Sequence, residues 1–246
     1  MKTISIYETG CVRKNNEDSF LILPEFNLFA VADGMGGHNA GEIASALAIE
    51  ELRKKAPELN FIDTEGIQNW MQETISEANR EVFEASFRDK QTEGMGTTLT
   101  ALVIRDKKAV IGHVGDSRIY LWRDSAISLL SEDHSMVNEL VRLGQLTEEK
   151  ARNHPHKNVL SRALGVDRTT TIDCYQLEVQ EDDVLLLCTD GLTNMIDDEE
   201  MASEFSVPGT WEDHLENLKK IVIQRGAPDN FTAVCCVLER CENNAL

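Results

Sequence analysis

The sequence predicts an α+β fold, in which strands joined by hairpins are interrupted by separate amphipathic helices. Apolar runs of strand length recur, and several stop at an aspartate followed by glycine, as in Leu28-Phe29-Ala30-Val31-Ala32-Asp33-Gly34. Two further runs, Leu99 to Ile104 and Ala109 to Val114, are separated only by Arg105-Asp106-Lys107-Lys108, the pattern of a β-hairpin. Between the strands, Ile43, Ala44, Leu47, Ala48 and Leu52 recur at helical spacing, as do Ile67, Trp70, Met71, Ile75, Ala78, Val82 and Phe87.

In chain order, a first strand is expected over Thr3 to Glu8. A polar loop, Cys11 to Ser19, then leads into a second strand at Phe20 to Leu23. The third strand is the run that stops at Asp33, and Gly34, Gly36 and Gly37 separate it from a helix near residues 41 to 56. After the second helix and Gly96-Thr97-Thr98 comes the hairpin. It runs out into Gly112-His113-Val114-Gly115-Asp116-Ser117-Arg118, and a strand at Ile119 to Trp122 continues the meander. From Glu132-Asp133-His134-Ser135 the pattern turns helical and polar, closing at Gly144 as a C-cap, and Thr147 before Glu148-Glu149 starts another helix. The stretch up to about residue 168 carries little core signal and is expected to be a mobile surface subregion. Strands return at Thr171 to Val179 and at Val184 to Cys188, the latter running into Thr189-Asp190-Gly191. A helix through Trp211, Leu215, Leu218, Ile221 and Val222 follows, and Ala227-Pro228-Asp229-Asn230 leads into a closing strand, Phe231 to Leu238.

At 246 residues with 41% hydrophobic composition, the chain can bury one sizeable core, and no linker, repeat or low-complexity tract divides it. A formal charge of −19 argues against nucleic acid and against an anionic membrane surface. The start, Met1-Lys2-Thr3-Ile4-Ser5, lacks an apolar signal segment, and the longest apolar run, Ala233 to Leu238, is too short to span a bilayer. A soluble, cytoplasmic protein is expected. The six cysteines show no Cys-x-x-Cys spacing and read as reduced thiols, several of them core residues.

The Asp33 stretch admits more than one chemistry. Asp-Gly after a strand is a common turn. A phosphate-cradling loop fits poorly, because Asn39 stands where the dinucleotide pattern needs glycine and no Gly-Lys-Ser/Thr follows. A metal site gains weight because Glu17, Asp33, Asp116, Asp190 and Asp229 each lie beside a strand end or tight turn. Aspartate clusters supply the oxygen ligands that Mg²⁺ and Mn²⁺ prefer, and converging buried acids require cations. Periodicity alone leaves their convergence open.

Arg13-x-x-Asn16-Glu17-Asp18, Asp33-Gly34-Met35-Gly36-Gly37, Gly96-Thr97-Thr98, Gly112-His113-x-Gly115-Asp116-Ser117-Arg118, Asp133-His134-Ser135, Thr189-Asp190-Gly191 and Asp229-Asn230 occur in one order. That ordered set resembles the PP2C-type (PPM) metal-dependent protein phosphatases, and the short length and Met35 resemble their bacterial branch. The resemblance implies a four-layer αββα fold, a central antiparallel β-sandwich flanked by pairs of α-helices, as one domain over residues 1–242. It implies two Mn²⁺ or Mg²⁺ ions per active site. Asp33 would bridge them, Asp190 and Asp229 would complete one, and Glu17 with the Gly34 carbonyl would hold the other. Asp116 with Asp190 resembles a weaker third-metal site. Asp18 and Asn230 would stand behind the ligands, and Arg13 would grip the phosphate.

One departure concerns the leaving group. Eukaryotic members carry histidine where Met35 stands, and a thioether cannot donate a proton, so His38 or a metal-bound water is the candidate acid, beside the alternative that His38 merely helps start the helix. Residues 135–168 fall where the family carries its flap, and Arg142, Arg152, Lys157 and Arg162 give that segment local positive charge. The implied activity is hydrolysis of phosphoserine and phosphothreonine by a monomer acting on phosphorylated proteins, with a cognate Ser/Thr kinase as its counterpart. The alternative from another class is a catalytically silent binding module on the same scaffold.

Overall fold

Alternation at a period of two residues sorts the strand side chains into inner and outer faces. The computed structural model describes residues 1–36, 40–152 and 154–239. One sheet runs β1 (Lys2–Glu8), β11 (Phe231–Val237), β10 (Val184–Cys188), β7 (Arg118–Arg123), β8 (Ala126–Leu129). The other runs β2 (Asp18–Leu23), β3 (Leu28–Met35), β5 (Leu99–Arg105), β6 (Lys108–Val114), β9 (Asp173–Glu178), and the short β4 (Gly96–Thr97) pairs with the end of β3. Every pairing is antiparallel.

Phe29, Val31, Leu102 and Ile111 from one sheet meet Ile119, Leu121, Leu185, Leu187, Val234 and Cys236 from the other in a single buried cluster between them. The alternate residues point outward under helices. Leu28, Ala30, Ala101 and Val103 pack beneath α1 (Ala40–Lys55) and α2 (Gly66–Ser86) through Ala44, Ala48, Leu52, Ile67, Met71 and Ile75. On the far side Val184, Leu186, Ala233 and Cys235 pack beneath α6 (Asp198–Phe205) and α7 (Trp211–Gln224) through Met201, Phe205, Leu215 and Leu218. The central strands are therefore buried on both faces, which explains their continuous apolar runs. The expected sandwich with a helix pair on each side is the architecture found.

Sequence-encoded caps set the outer helices. Asp197 with Glu200 and Thr210 with Asp213 form reciprocal capping boxes at the starts of α6 and α7. Gly112 leaves room for α2, since a Cβ there would stand 2.5 Å from Ile75 and Met71 side-chain atoms.

Some details differ from expectation. β3 does not stop at Asp33, because Asp18 pairs with Asp33 and Gly34 and Met35 pair with β4. The sequence reading passed over β8, α5 (Asp190–Thr193) and α6. β8 shows largely exposed residues with no apolar run, and the two helices are short. α3 (Met136–Arg142) and α4 (Glu148–Arg152) form the polar subregion, yet its last part belongs to the core. Leu164 is fully buried and exchanges two backbone hydrogen bonds with Thr97 at 2.8 and 3.0 Å. Among the described residues no helix is long and apolar enough to cross a membrane.

Candidate metal centre

Strand register brings the acids to one end of the sandwich. In one sheet Cys188 pairs with both Arg118 and Ala233, so the end of β10 with Asp190 lies beside the starts of β7 and β11, where Asp116 and Asp229 sit. In the other sheet Asp18 opposes Asp33, and the starts of β2 and β5 meet the ends of β3 and β6 at the same edge. Asp18 ties the two sheets together. Its Oδ2 accepts hydroxyl hydrogen bonds from Thr189 at 2.9 Å and Thr232 at 2.6 Å, both in the opposite sheet or at its edge.

Backbone contacts hold the remaining groups in place. The Asp33 amide donates to Thr98 Oγ1 at 2.9 Å, and its carbonyl accepts from the Thr98 amide at 2.9 Å and Thr97 Oγ1 at 2.8 Å. Asn230 braces two loops, accepting from the Glu17 amide at 2.8 Å while donating to the Thr9 and Asn15 carbonyls at 2.8 and 2.9 Å. Gly34 and Gly41 face each other so closely that a Cβ on Gly34 would lie 2.0 Å from the Gly41 oxygen. On the other side of the site a Cβ on Gly191 would lie 1.8 Å from the Asn230 oxygen. These glycines let the acid-bearing turns touch.

The carboxylates load one another electrostatically. Burial first, then the charges of Asp18, Asp190 and Asp116, hold the Asp33 carboxyl well above the usual carboxylate range. Asp116 is raised in the same way by burial and by Asp190 and Asp133, and Asp190 by burial and Asp229. Burial pushes Asp18 up to about 7 despite its two hydroxyl donors, and its Oδ1 is buried without a partner. Burial also raises Glu17, partly opposed by Arg13.

Glu17, Asp18, Asp33, Gly34, Asp116, Asp190, Asp229 and Asn230 thus come together at one edge. The exposed Arg13 guanidinium joins them through Asp229, with Nη2 2.9 Å from Oδ2. His38 and the side chain of Arg152 lie outside the described residues. Sequence reasoning missed Asn194, whose Nδ2 donates to Asp190 Oδ2 at 2.9 Å and whose Oδ1 accepts from Lys157 Nζ at 3.1 Å. The signal was its spacing of four residues from Asp190, one helical turn on. Beside Asp116 and Asp190 opens a cleft of about 680 Å³ between α3, Lys157 and Asn158 on one side and α5 and the start of α6 on the other.

The donor set fits a hard divalent cation. Its side chains offer only oxygen, carboxylates outnumber cations, and an orphaned buried oxygen on Asp18 faces no donor. Among the described residues no three acidic, histidine or cysteine side chains stand as a finished metal cage.

Comparisons with known proteins point the same way. The protein phosphatase 2C family matches residues 12–226. The serine/threonine phosphatase stp of Listeria monocytogenes serotype 4b (strain F2365) is 39% identical over 231 residues, 92% of each chain. The crystal structure of the serine/threonine phosphatase Stp1 from Staphylococcus aureus superposes with a TM-score of 0.91 at 32% identity, covering 98% of this chain and 96% of that one. The catalytic domain of the serine/threonine protein phosphatase PstP, solved in complex with two manganese ions, gives a TM-score of 0.85 at 31% identity, covering 97% of this chain and 98% of that one. With its strand-edge acids, its four layers and these relatives in agreement, the chain belongs to the protein phosphatase 2C family, the PP2C-type (PPM) serine/threonine phosphatases, in its bacterial branch.

Proposed function

We propose that the chain hydrolyses phosphoserine and phosphothreonine in proteins at a centre holding two Mn²⁺ or Mg²⁺ ions. Asp33 would bridge them, Glu17 and the Gly34 carbonyl would hold one, Asp190 and Asp229 the other, and Asp116 with Asp190 a weaker third. The observation that carries this reading is the meeting of Glu17, Asp18, Asp33, Asp116, Asp190 and Asp229 at one end of the sandwich, set by strand register. Manganese in the PstP structure supports the choice of ion. Bound cations supply an activated water at neutral pH and positive charge against the phosphate.

The chain's own groups then have distinct tasks. Arg13 is exposed and, among the described residues, pairs through Asp229, so it can exchange that partner for phosphate oxygens, leaving the Asp229 carboxylate free to turn inward. Asn230 keeps the Glu17 and Asp229 turns in register, and Asn194 fixes the Asp190 carboxylate. Asp18 offers its unpartnered oxygen behind the ligands. His38 is proposed to protonate the leaving oxygen on the sequence argument alone. Residues 1–242 act as one monomeric, cytoplasmic domain whose flap, within 135–168, borders the cleft that receives phosphorylated proteins, a cognate Ser/Thr kinase among them.

The test is hydrolysis of a phosphothreonine peptide by purified protein with Mn²⁺, with EDTA, and by Asp33→Asn. Turnover is expected only with metal and with Asp33 intact. A folded, metal-supplied protein without turnover would favour the silent binding module.

A further inference from the structure

Gly115 is clasped twice by one residue. Its amide donates to His134 Nδ1 at 3.0 Å, and the His134 amide donates to the Gly115 carbonyl at 2.8 Å. The peptide so held leads directly into Asp116. Gly115 takes φ +114°, and a Cβ there would meet the Thr98 side chain at 2.5 Å, so the clasp depends on glycine. Thr98 is the same residue that holds the Asp33 backbone, which links the clasp to the middle of the site.

His134 is also the neck of the flap segment. Its carbonyl accepts from the Ser161 amide at 2.9 Å, Met136 donates to the Val159 carbonyl at 2.8 Å, and Ser135 bridges Leu160. Its other ring nitrogen, Nε2, lies 3.0 Å from Asp173 Oδ2, and Arg162 Nη1 reaches Asp173 Oδ1 at 2.7 Å. Because the Gly115 amide can only donate, Nδ1 is the bare nitrogen and Nε2 carries the hydrogen toward Asp173. The His113 ring packs against this imidazole at 4.7 Å and fixes its plane.

We infer that His134 is a positioning residue, which holds the Gly115–Asp116 peptide from the flap side and so couples the flap neck to the weaker cation position. The inference rests on the reading of Asp116 as a ligand there. A residue that merely fills space would be indifferent to which nitrogen a substitute imitates. A positioning residue is not, because only Nδ1 touches Gly115.

The experiment uses that asymmetry on the full chain. His134→Asn places an acceptor near Nδ1 and drops the Asp173 contact. His134→Gln reaches toward Asp173 and leaves the Gly115 amide unpaired. Mn²⁺ is titrated in phosphothreonine-peptide hydrolysis, and Mn²⁺ binding is followed by calorimetry. The loss of one buried hydrogen bond corresponds to about a tenfold rise in half-saturating Mn²⁺ for His134→Gln, with recovery at saturation. His134→Asn should stay within about threefold of the wild type, less than half of one hydrogen bond's effect. Equal shifts in the two variants, or a larger one in His134→Asn, overturn the inference while leaving the phosphatase reading intact. Wild-type protein that binds no Mn²⁺ overturns both. Should neither variant fold, amide exchange in the wild type decides: Gly115 and His134 are expected to slow together on adding Mg²⁺, and independent behaviour overturns the clasp.

Discussion

His113 shows how far a single residue can be read from sequence. The motif Gly112-His113-x-Gly115-Asp116 marked its neighbourhood, but nothing in the spacing revealed that its side chain is fully buried. In the fold its Nδ1 faces the Thr100 hydroxyl at 2.9 Å and its Nε2 faces the Glu132 carbonyl at 3.0 Å. A carbonyl only accepts, so Nε2 carries the hydrogen. Burial, and next the neighbouring His134, lower its pKa to about 4. The unfolded chain, with an ordinary imidazole, takes up a proton as pH falls below about 6.5, whereas the folded chain does so only near its own lower value. The fold therefore binds fewer protons in that window and loses stability as pH drops. Between pH 7.5 and pH 5 the loss from this residue amounts to about 2 kcal/mol. Urea denaturation of wild type and His113→Gln at the two pH values measures it, and the variant should lack that part of the slope; parallel slopes would contradict the assignment.

At the scale of elements, apolar runs located the central strands because these are covered on both faces, and the helical recurrence of apolar residues located α7. The errors have physical causes. β3 continues through Asp33 because β4 supplies backbone partners for Gly34 and Met35, a tertiary contact that composition does not encode. The polar 135–168 segment carries little core signal and reads as a surface subregion, yet Ala163 and Leu164 are buried and the Gly165 amide donates to Asn79 Oδ1 at 2.9 Å. Polar neighbours hid the core residues. This anchoring sets where the segment can be exchanged. Replacing residues 136–158 with the corresponding stretch of a relative is expected to change preference among phosphoproteins while p-nitrophenyl phosphate hydrolysis stays within about threefold, since the small substrate needs little positioning energy from remote contacts. An exchange carried on to residue 168 removes buried Leu164 and should cost about 2–5 kcal/mol if a small residue replaces it. Loss of both activities in the shorter exchange, with the fold intact by circular dichroism, would give the segment a role in the chemistry itself.

Over the whole molecule, sequence could name the acids but not their meeting, because convergence depends on strand register and on which sheet edge each turn occupies. The composition did carry a clue to its cost: a chain of −19 that also gathers carboxylates at one edge works against its own folding through their repulsion. Asp33 feels this, since burial and the charges of Asp18, Asp190 and Asp116 all disfavour its ionised form. Two opposite effects on stability follow from the same residue. In EDTA, Asp33→Asn removes a repelling charge and should raise the melting temperature above that of the wild type. With Mn²⁺ at one hundred times its dissociation constant, the wild type should gain about 2.7 kcal/mol, which for a domain of this size is a rise of roughly 5–10 °C. Asp33→Asn should gain far less if, as proposed, its carboxylate bridges the cations, and the order of the two proteins should then reverse. Differential scanning calorimetry in EDTA and in Mn²⁺ reads both arms. A variant less stable than wild type without metal would mean that Asp33 is held by favourable contacts, and the repulsion argument for a cation at this edge would fall with it.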